Sequence, residues 1–149
     1  MNEIPKPLQV YVVEDSPITR RLLMSTVEAA SAEIIGYSTG AQKAIADLSV
    51  LQPDLVVIDI SLDSGTGFDV LRVLQERNLL PTAVKVVLTN HANDEYEALS
   101  LRLGANCFFD KSAEISQVLA LINALAAEKR PGREQPPRSK PPRSGQPQP

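Results

Sequence analysis

Residues 55–61, Leu-Val-Val-Ile-Asp-Ile-Ser, constrain this chain more than any other stretch. A short β-branched apolar run without polar alternation reads as a strand covered on both faces, the pattern of a parallel sheet with helices above and below. An acid inside such a run is costly unless it sits at the open C-terminal mouth of the strand, beside a cation or a donor. That mouth is where open α/β sheets bind ligands. Asp59 is therefore either a reacting or metal-binding carboxylate, or an acid that caps the turn after its strand.

The rest of the chain repeats this rhythm. Leu8–Val13 reads as a strand ending at Glu14-Asp15, and Ser16-Pro17 opens a helix with Asp15 or Ser16 as its cap. Ile18, Leu22, Leu23, Val27 and Ala30 recur at helical spacing and are expected to face the core. Residues 33–38 form a second strand, and 40–51 a second helix stopped by Pro53. After the strand that ends at Asp59 comes a turn-rich loop, 62–67, and a helix over 68–75. Residues 85–89 read as a fourth strand, and Asn93-Asp94 caps a helix that runs to Leu103 and stops at Gly104. Residues 106–110 form a fifth strand, and a last helix begins at Ser112 or Ala113. Five strands alternating with five helices predict an α/β fold with a doubly wound parallel sheet.

Composition sets the frame for function. A length of 149 residues with 43% hydrophobic side chains suits one domain, and 4% aromatics leave the core to Leu, Ile, Val and Ala. No apolar run reaches the roughly 20 residues of a membrane span, and no signal peptide is visible. The lone Cys107 excludes an intrachain disulfide, fits a reducing, cytoplasmic setting and reads as a core thiol. Six Lys/Arg and one acid fall in 129–149, leaving nine against seventeen in 1–128, so the body carries −8 and the end +5. So acidic a body argues against direct nucleic-acid binding. Seven prolines between Pro131 and Pro149 mark a disordered, basic tail after a domain of 8–128, and 1–7 reads as a loose leader. Pro-Pro-Arg-Ser recurs at 136–139 and 141–144, a pattern that reads as a solvated linker remnant, with a ligand of polyproline-binding modules as the alternative.

In a parallel sheet the strand ends share one edge. Glu14, Asp15, Asp59, Thr89 and Lys111 therefore converge. Carboxylates packed together repel unless a cation joins them. Oxygen-only donors select a hard ion, and Mg²⁺ suits a site of one or two carboxylates and retained waters, with Mn²⁺ as a substitute. Lys111 supplies a point charge for Asp59 or a phosphoryl oxygen, and Thr89 a hydroxyl that can follow such an oxygen.

These motifs, in this order, resemble the response-regulator receiver domains of two-component signalling, the CheY-like family. Val12-Val13-Glu14-Asp15-Ser16 is similar to the acidic pair after strand one. Val57-Ile58-Asp59-Ile60-Ser61-Leu62, with Gly67 eight residues after Asp59, is similar to the phosphoacceptor strand and its loop. Val87-Leu88-Thr89 resembles the switch strand, and Leu103-Gly104-Ala105 through Lys111 the segment ending at the lysine. The resemblance covers residues 8 to about 126 and implies strand order 2-1-3-4-5. It implies that Asp59 accepts a phosphoryl group from the phosphohistidine of a sensor histidine kinase or a histidine phosphotransfer protein. Mg²⁺ would be held by Asp15, Asp59 and the Ser61 backbone carbonyl, with Glu14 acting through water. Lys111 would pair with Asp59 and then with the phosphate, while Thr89 and Phe108 report the change to a downstream protein. Ser61 and His91 occupy positions that tune hydrolysis. Ile18, Arg21 and Leu22 are candidates to dock the phosphodonor.

Three positions depart from the family pattern: Ser112 stands where proline usually follows the lysine after a cis bond, Asp63 where proline is common, and Glu14 where aspartate is common. Without the proline a trans bond is expected, and a looser lysine loop with it. Two rivals remain. One is a receiver-like interaction module regulated without phosphorylation. The other is an aspartyl-nucleophile phosphatase of the haloacid-dehalogenase type, which expects a second aspartate where Ser61 stands. On the receiver reading the chain is not an enzyme beyond its own phosphorylation and dephosphorylation; it is a stand-alone receiver, a phosphorelay member or the receiver piece of a longer protein cut at its proline-rich linker, with no output domain in residues 1–149.

Overall fold

The structure, a computed structural model, describes residues 6–129. The leader and the proline-rich tail expected from the sequence lie outside the described residues, apart from Lys6, Pro7 and Lys129. The elements run β1 (Gln9–Val13), α1 (Pro17–Ala29), β2 (Glu33–Ser38), α2 (Ala41–Leu48), β3 (Leu55–Ile58), α3 (Gly67–Glu76), β4 (Val84–Thr89), α4 (Asp94–Arg102), β5 (Cys107–Asp110) and α5 (Lys111–Lys129). All strand pairs are parallel, in the order β2-β1-β3-β4-β5. The doubly wound fold expected from the strand–helix alternation is the fold observed.

Each central strand sends alternate side chains to opposite faces. Tyr11, Val13, Val56, Ile58 and Val87 pack with residues of α2 and α3. Val10, Val12, Leu55, Val57, Val86 and Leu88 pack with residues of α1 and α5. Burial on both faces is why β1, β3 and β4 read as unbroken apolar runs. The chain leaves β1 toward α1 on one face and reaches β3 after α2 on the other. The crevice between their C-terminal ends is the switch point, and it opens at Glu14, Asp15 and Asp59.

Two local expectations are corrected. Ile18 is 76% exposed and Leu22 is also exposed, whereas Thr19, Leu23, Val27 and Ala30 are buried. Leu22 and Leu23 are neighbours about 100° apart on the helix, so only one of them can point at the sheet. Ser16 caps α1 by accepting from Thr19 N–H at 3.3 Å, and Pro17 opens it. The second correction concerns α5, which begins at Lys111 itself and not at Ser112 or Ala113, and runs through Lys129, one residue past the expected end of the domain. Asp110 Oδ1 accepts from Ser112 N–H at 2.9 Å, so the helix is capped directly out of β5 with no intervening loop.

Candidate functional site

The site forms where the strands stop. β3 ends at Ile58, and Asp59 N–H still donates to Val13 O at 2.9 Å, which holds Asp59 beside the end of β1. The chain then bends, with Ser61 N–H donating to Asp59 Oδ1 at 3.3 Å. Gly67, the first residue of α3, lies against the Asp59 carbonyl so closely that a Cβ there would collide with that oxygen. Thr66 and Asp69 close a capping box that fixes this helix start.

Glu14 and Asp59 are buried, Asp15 half-buried, and one carboxylate oxygen of each lies within 4.8 Å of the others. Lys111 Nζ stands 2.9 Å from Asp59 Oδ2 and 3.0 Å from Glu14 Oε1. Three carboxylates against one ammonium leave two negative charges uncompensated when all are ionised. Burial pushes the Glu14 carboxyl up to about 7, and the charge of Asp59 adds to the push. The Ser16 N–H, donating to Glu14 Oε2 at 3.0 Å, and Lys111 oppose it. For Lys111, burial alone would favour the neutral amine, but the hydrogen bonds it donates to Asp59 and Glu14 hold its pKa above the ordinary lysine value. The donor set fits a hard divalent cation: oxygen donors only, preorganised, and short of about two positive charges.

Thr89 closes β4 and is fully buried, and its Oγ1 accepts from His91 N–H at 3.1 Å. His91 itself is exposed at the rim and meets Thr89 through its backbone. In the β4–β5 register Val87 lies beside Phe108 and Thr89 beside Asp110. Val87 and Phe108 belong to the same packed layer, and Thr89, two residues on, shares that face; Phe109 belongs to the opposite layer. Of the two adjacent phenylalanines, Phe108 is thus the one on the Thr89 side. It lines a groove of about 240 Å³ with Asn93, Asp94, Glu97, Asp110 and Glu114. Ser61 is exposed at the bend beside Asp59.

The residues expected at the strand ends are thus brought together, with His91 present through its backbone alone. Two contributors were not anticipated. Arg20 Nη1 donates to Glu14 O at 3.0 Å, and its guanidinium carbon lies 4.8 Å from the centroid of the Tyr37 ring, so it clamps the loop that carries the acidic pair. Nothing in the spacing of Arg20 points to this contact. Glu114 Oε1 accepts from Asp110 N–H at 2.8 Å and completes the α5 cap. Here a signal existed: an acid at a strand end followed four residues later by a glutamate is close to a capping box.

Comparison with known proteins identifies the family and the fold. Residues 10–123 match the family described as the response regulator receiver domain. The chain is 35% identical over 107 residues to protein-glutamate methylesterase/protein-glutamine glutaminase 3 of Geobacter sulfurreducens, covering 71% of this chain and 28% of that protein. It is 24% identical over 118 residues to chemotaxis protein CheY of Thermotoga maritima, covering 79% and 97%. The chain thus spans less than a third of the methylesterase and nearly all of the CheY protein. Among solved structures, the phosphorylated cyanobacterial phytochrome response regulator RcpA superposes with a TM-score of 0.70 at 23% identity, covering 83% of this chain and 94% of that one. The response regulator domain of Thermotoga maritima CheB gives a TM-score of 0.69 at 19% identity, covering 83% and 96%. Fold, strand-end chemistry and sequence match converge on one assignment: the chain belongs to the response-regulator receiver domain family.

Proposed function

We propose that Asp59 accepts a phosphoryl group from a phosphohistidine, on a sensor histidine kinase or a histidine phosphotransfer protein, in a reaction that requires Mg²⁺. The observation that carries this reading is the buried Lys111 ammonium, 2.9 Å from Asp59 Oδ2, inside a cluster of three carboxylates. A lone structural ion pair would not need the second and third acids. In the reaction an Asp59 carboxylate oxygen attacks phosphorus and the imidazole nitrogen leaves. Negative charge collects on the equatorial oxygens, so catalysis is positioning and electrostatic stabilisation.

Asp15, Asp59 and the Ser61 carbonyl would hold the metal directly, with Glu14 through water; when bound, Mg²⁺ neutralises charge on the carboxylates and on the transferring group. Lys111 stays with Asp59 and then turns to a phosphoryl oxygen. Thr89 donates its hydroxyl to the new acyl phosphate. Phe108, on the same face of the sheet, changes its packing when Thr89 moves, and the groove it lines alters its fit for a downstream protein. Ser61 and His91 flank the phosphoryl group and set how readily water reaches it. Ile18 and Leu22, exposed on α1 beside Arg21, support the assignment of that face to the phosphodonor.

The domain proper is residues 8–128. Its chemistry is on itself alone, by phosphotransfer and autodephosphorylation. It acts in the cytoplasm through proteins, with no direct role for nucleic acid or membrane. No helix among the described residues is long and apolar enough to cross a membrane. The test is incubation with acetyl phosphate and Mg²⁺ followed by intact-mass measurement. A phosphoryl adduct is expected in the wild type and absent in Asp59→Asn. Lack of an adduct in wild-type protein that binds Mg²⁺ by calorimetry would sink the proposal, as would multiple turnover of a generic phosphate ester abolished by Asp59→Asn.

A further inference from the structure

We infer that Asp110 and Glu114 are positioning residues for Lys111, acting through a helix cap built where receivers usually carry proline. The inference rests on the reading of Asp59 as phosphoacceptor. Lys111 is the first residue of α5 and follows the last residue of β5 directly. The backbone must therefore pass from extended to helical in one step, at the residue whose ammonium has to reach Asp59 and Glu14.

Three hydrogen bonds set that step. Asp110 Oδ1 accepts from Ser112 N–H at 2.9 Å and from Ser112 Oγ–H at 2.8 Å. Glu114 Oε1 accepts from Asp110 N–H at 2.8 Å. The bonds enclose Lys111 on both sides. Two of them use groups that proline lacks, the N–H and the hydroxyl of Ser112. Asp110 is itself fixed beside Thr89 by the β4–β5 register. Among the described residues neither Asp110 nor Glu114 forms an ion pair with a lysine or arginine, so the cap is the contact that employs them. Both carboxylates also sit at the positive end of the α5 dipole, which favours the same helix start. No loop separates β5 from α5 at Lys111, so the looser lysine loop expected without proline is not observed.

A cap that served stability alone would leave the reaction untouched. One that aims Lys111 has a different signature, because a displacement near 1 Å costs on the order of 100-fold in a positioned reaction. The experiment compares Asp110→Ala and Glu114→Ala with Asp110→Asn and Glu114→Gln, which still present an acceptor oxygen. Three quantities are measured below the melting range: the phosphorylation rate at saturating acetyl phosphate and Mg²⁺, Mg²⁺ affinity by calorimetry without phosphodonor, and the Lys111 side-chain ammonium resonance by NMR.

We expect the alanine variants to phosphorylate about tenfold or more slowly, with metal affinity within about twofold and the ammonium resonance shifted or lost. The Asn and Gln variants should recover most of the rate. Wild-type rates and an unchanged ammonium signal in both alanine variants would overturn the inference. So would failure of Asn and Gln to rescue, which would assign the effect to charge. Ser112→Ala removes only one of the three bonds and decides the matter if the other variants fail to fold: a partial loss of rate is expected, and no loss counts against the cap. If the wild type takes up no phosphoryl group, the phosphoacceptor reading fails, while the ammonium signal still decides whether the cap holds Lys111.

Discussion

Lys111 holds together charges that would otherwise drive the site apart. Its ammonium is the one cation in contact with the buried carboxylates of Glu14 and Asp59 among the described residues. Removing one partner of a buried ion pair leaves an uncompensated charge and costs about 3 kcal/mol or more. Lys111→Met should therefore lose about that much stability in metal-free protein, read by urea denaturation. Part of the loss should return on adding Mg²⁺, because a ligand of the native state stabilises it by mass action. A metal-free Lys111→Met protein as stable as wild type would mean that the carboxylates relax into water without it. Gly67 makes a separate demand at the same scale. An added Cβ would meet the Asp59 carbonyl oxygen and lie 2.9 Å from Ile58 Cγ2. Gly67→Ala should cost about 2 kcal/mol and slow phosphorylation of Asp59, since the backbone that must give way is the one carrying the proposed nucleophile. Thermal denaturation and the acetyl phosphate rate check the two halves of this prediction independently.

Elements show where sequence and structure part company. The strands and their ends were legible because burial on both faces writes itself as apolar runs, and parallel strands necessarily gather their C-terminal residues at one edge. Glu14, Asp15, Asp59, Thr89 and Lys111 could be placed from that alone. The core face of α1 was legible only in part: Leu23, Val27 and Ala30 are buried as expected, but that face also carries a threonine, Thr19, while the exposed face carries Ile18 and Leu22. Apolar spacing could not separate the two faces. Arg20, clamped between Glu14 and Tyr37, was invisible because its contact joins α1, a loop and β2 across the fold. The attachment of α2 was equally hidden. Tyr11 of β1 is fully buried and donates its phenol hydrogen to Asp47 Oδ2 at 2.6 Å, with Lys43 Nζ 2.8 Å from the same oxygen. The Lys43 hydrogen bond first, and that of Tyr11 second, hold the Asp47 carboxyl below the usual carboxylate range. A carboxylate with a lowered folded pKa adds stability above its unfolded value near 4, and that stability is lost as pH falls through the lower folded value. Asp47→Asn should thus destabilise by about 1 kcal/mol near neutral pH. The gap to wild type should narrow from about pH 4 downward. A denaturation series between pH 7 and 2 measures it, and a gap that stays constant would refute the linkage. α4 offers the opposite case. Its one fully buried side chain is Ser100, whose hydroxyl finds no partner among the described residues. Ser100→Ala should stabilise by about 1 kcal/mol, seen as a raised melting temperature.

At the scale of the molecule the sheet decides how the protein comes apart. One packed layer includes Leu48, Leu71 and Leu74 from α2 and α3; the other includes Leu23, Val27, Val118 and Ile122 from α1 and α5. The two layers are not independent cores, because β1, β3 and β4 supply consecutive residues to opposite sides: Val10 and Val12 to one, Tyr11 and Val13 to the other. Losing either layer would expose apolar strands that water cannot tolerate on that face. Leu23→Ala in one layer and Leu74→Ala in the other should each cost roughly 2–5 kcal/mol, the range for a buried leucine. In both variants urea unfolding should remain a single transition, with tyrosine fluorescence and far-UV circular dichroism coincident. Tyr11, buried in the layer of Leu74, should therefore report the loss of Leu23 at the same midpoint as the helices do. Separated midpoints in Leu23→Ala would show that one layer melts while the other holds. The same sharing links Asp59 to both faces: it follows Val57, which packs toward α1 and α5, and Ile58, which packs toward α2 and α3. A shift of Asp59 on the proposed phosphorylation then cannot be confined to one side of the sheet. In the phosphorylated protein backbone hydrogen exchange should change in α1 and α5 as well as in α4, and changes restricted to α4 would count against that coupling.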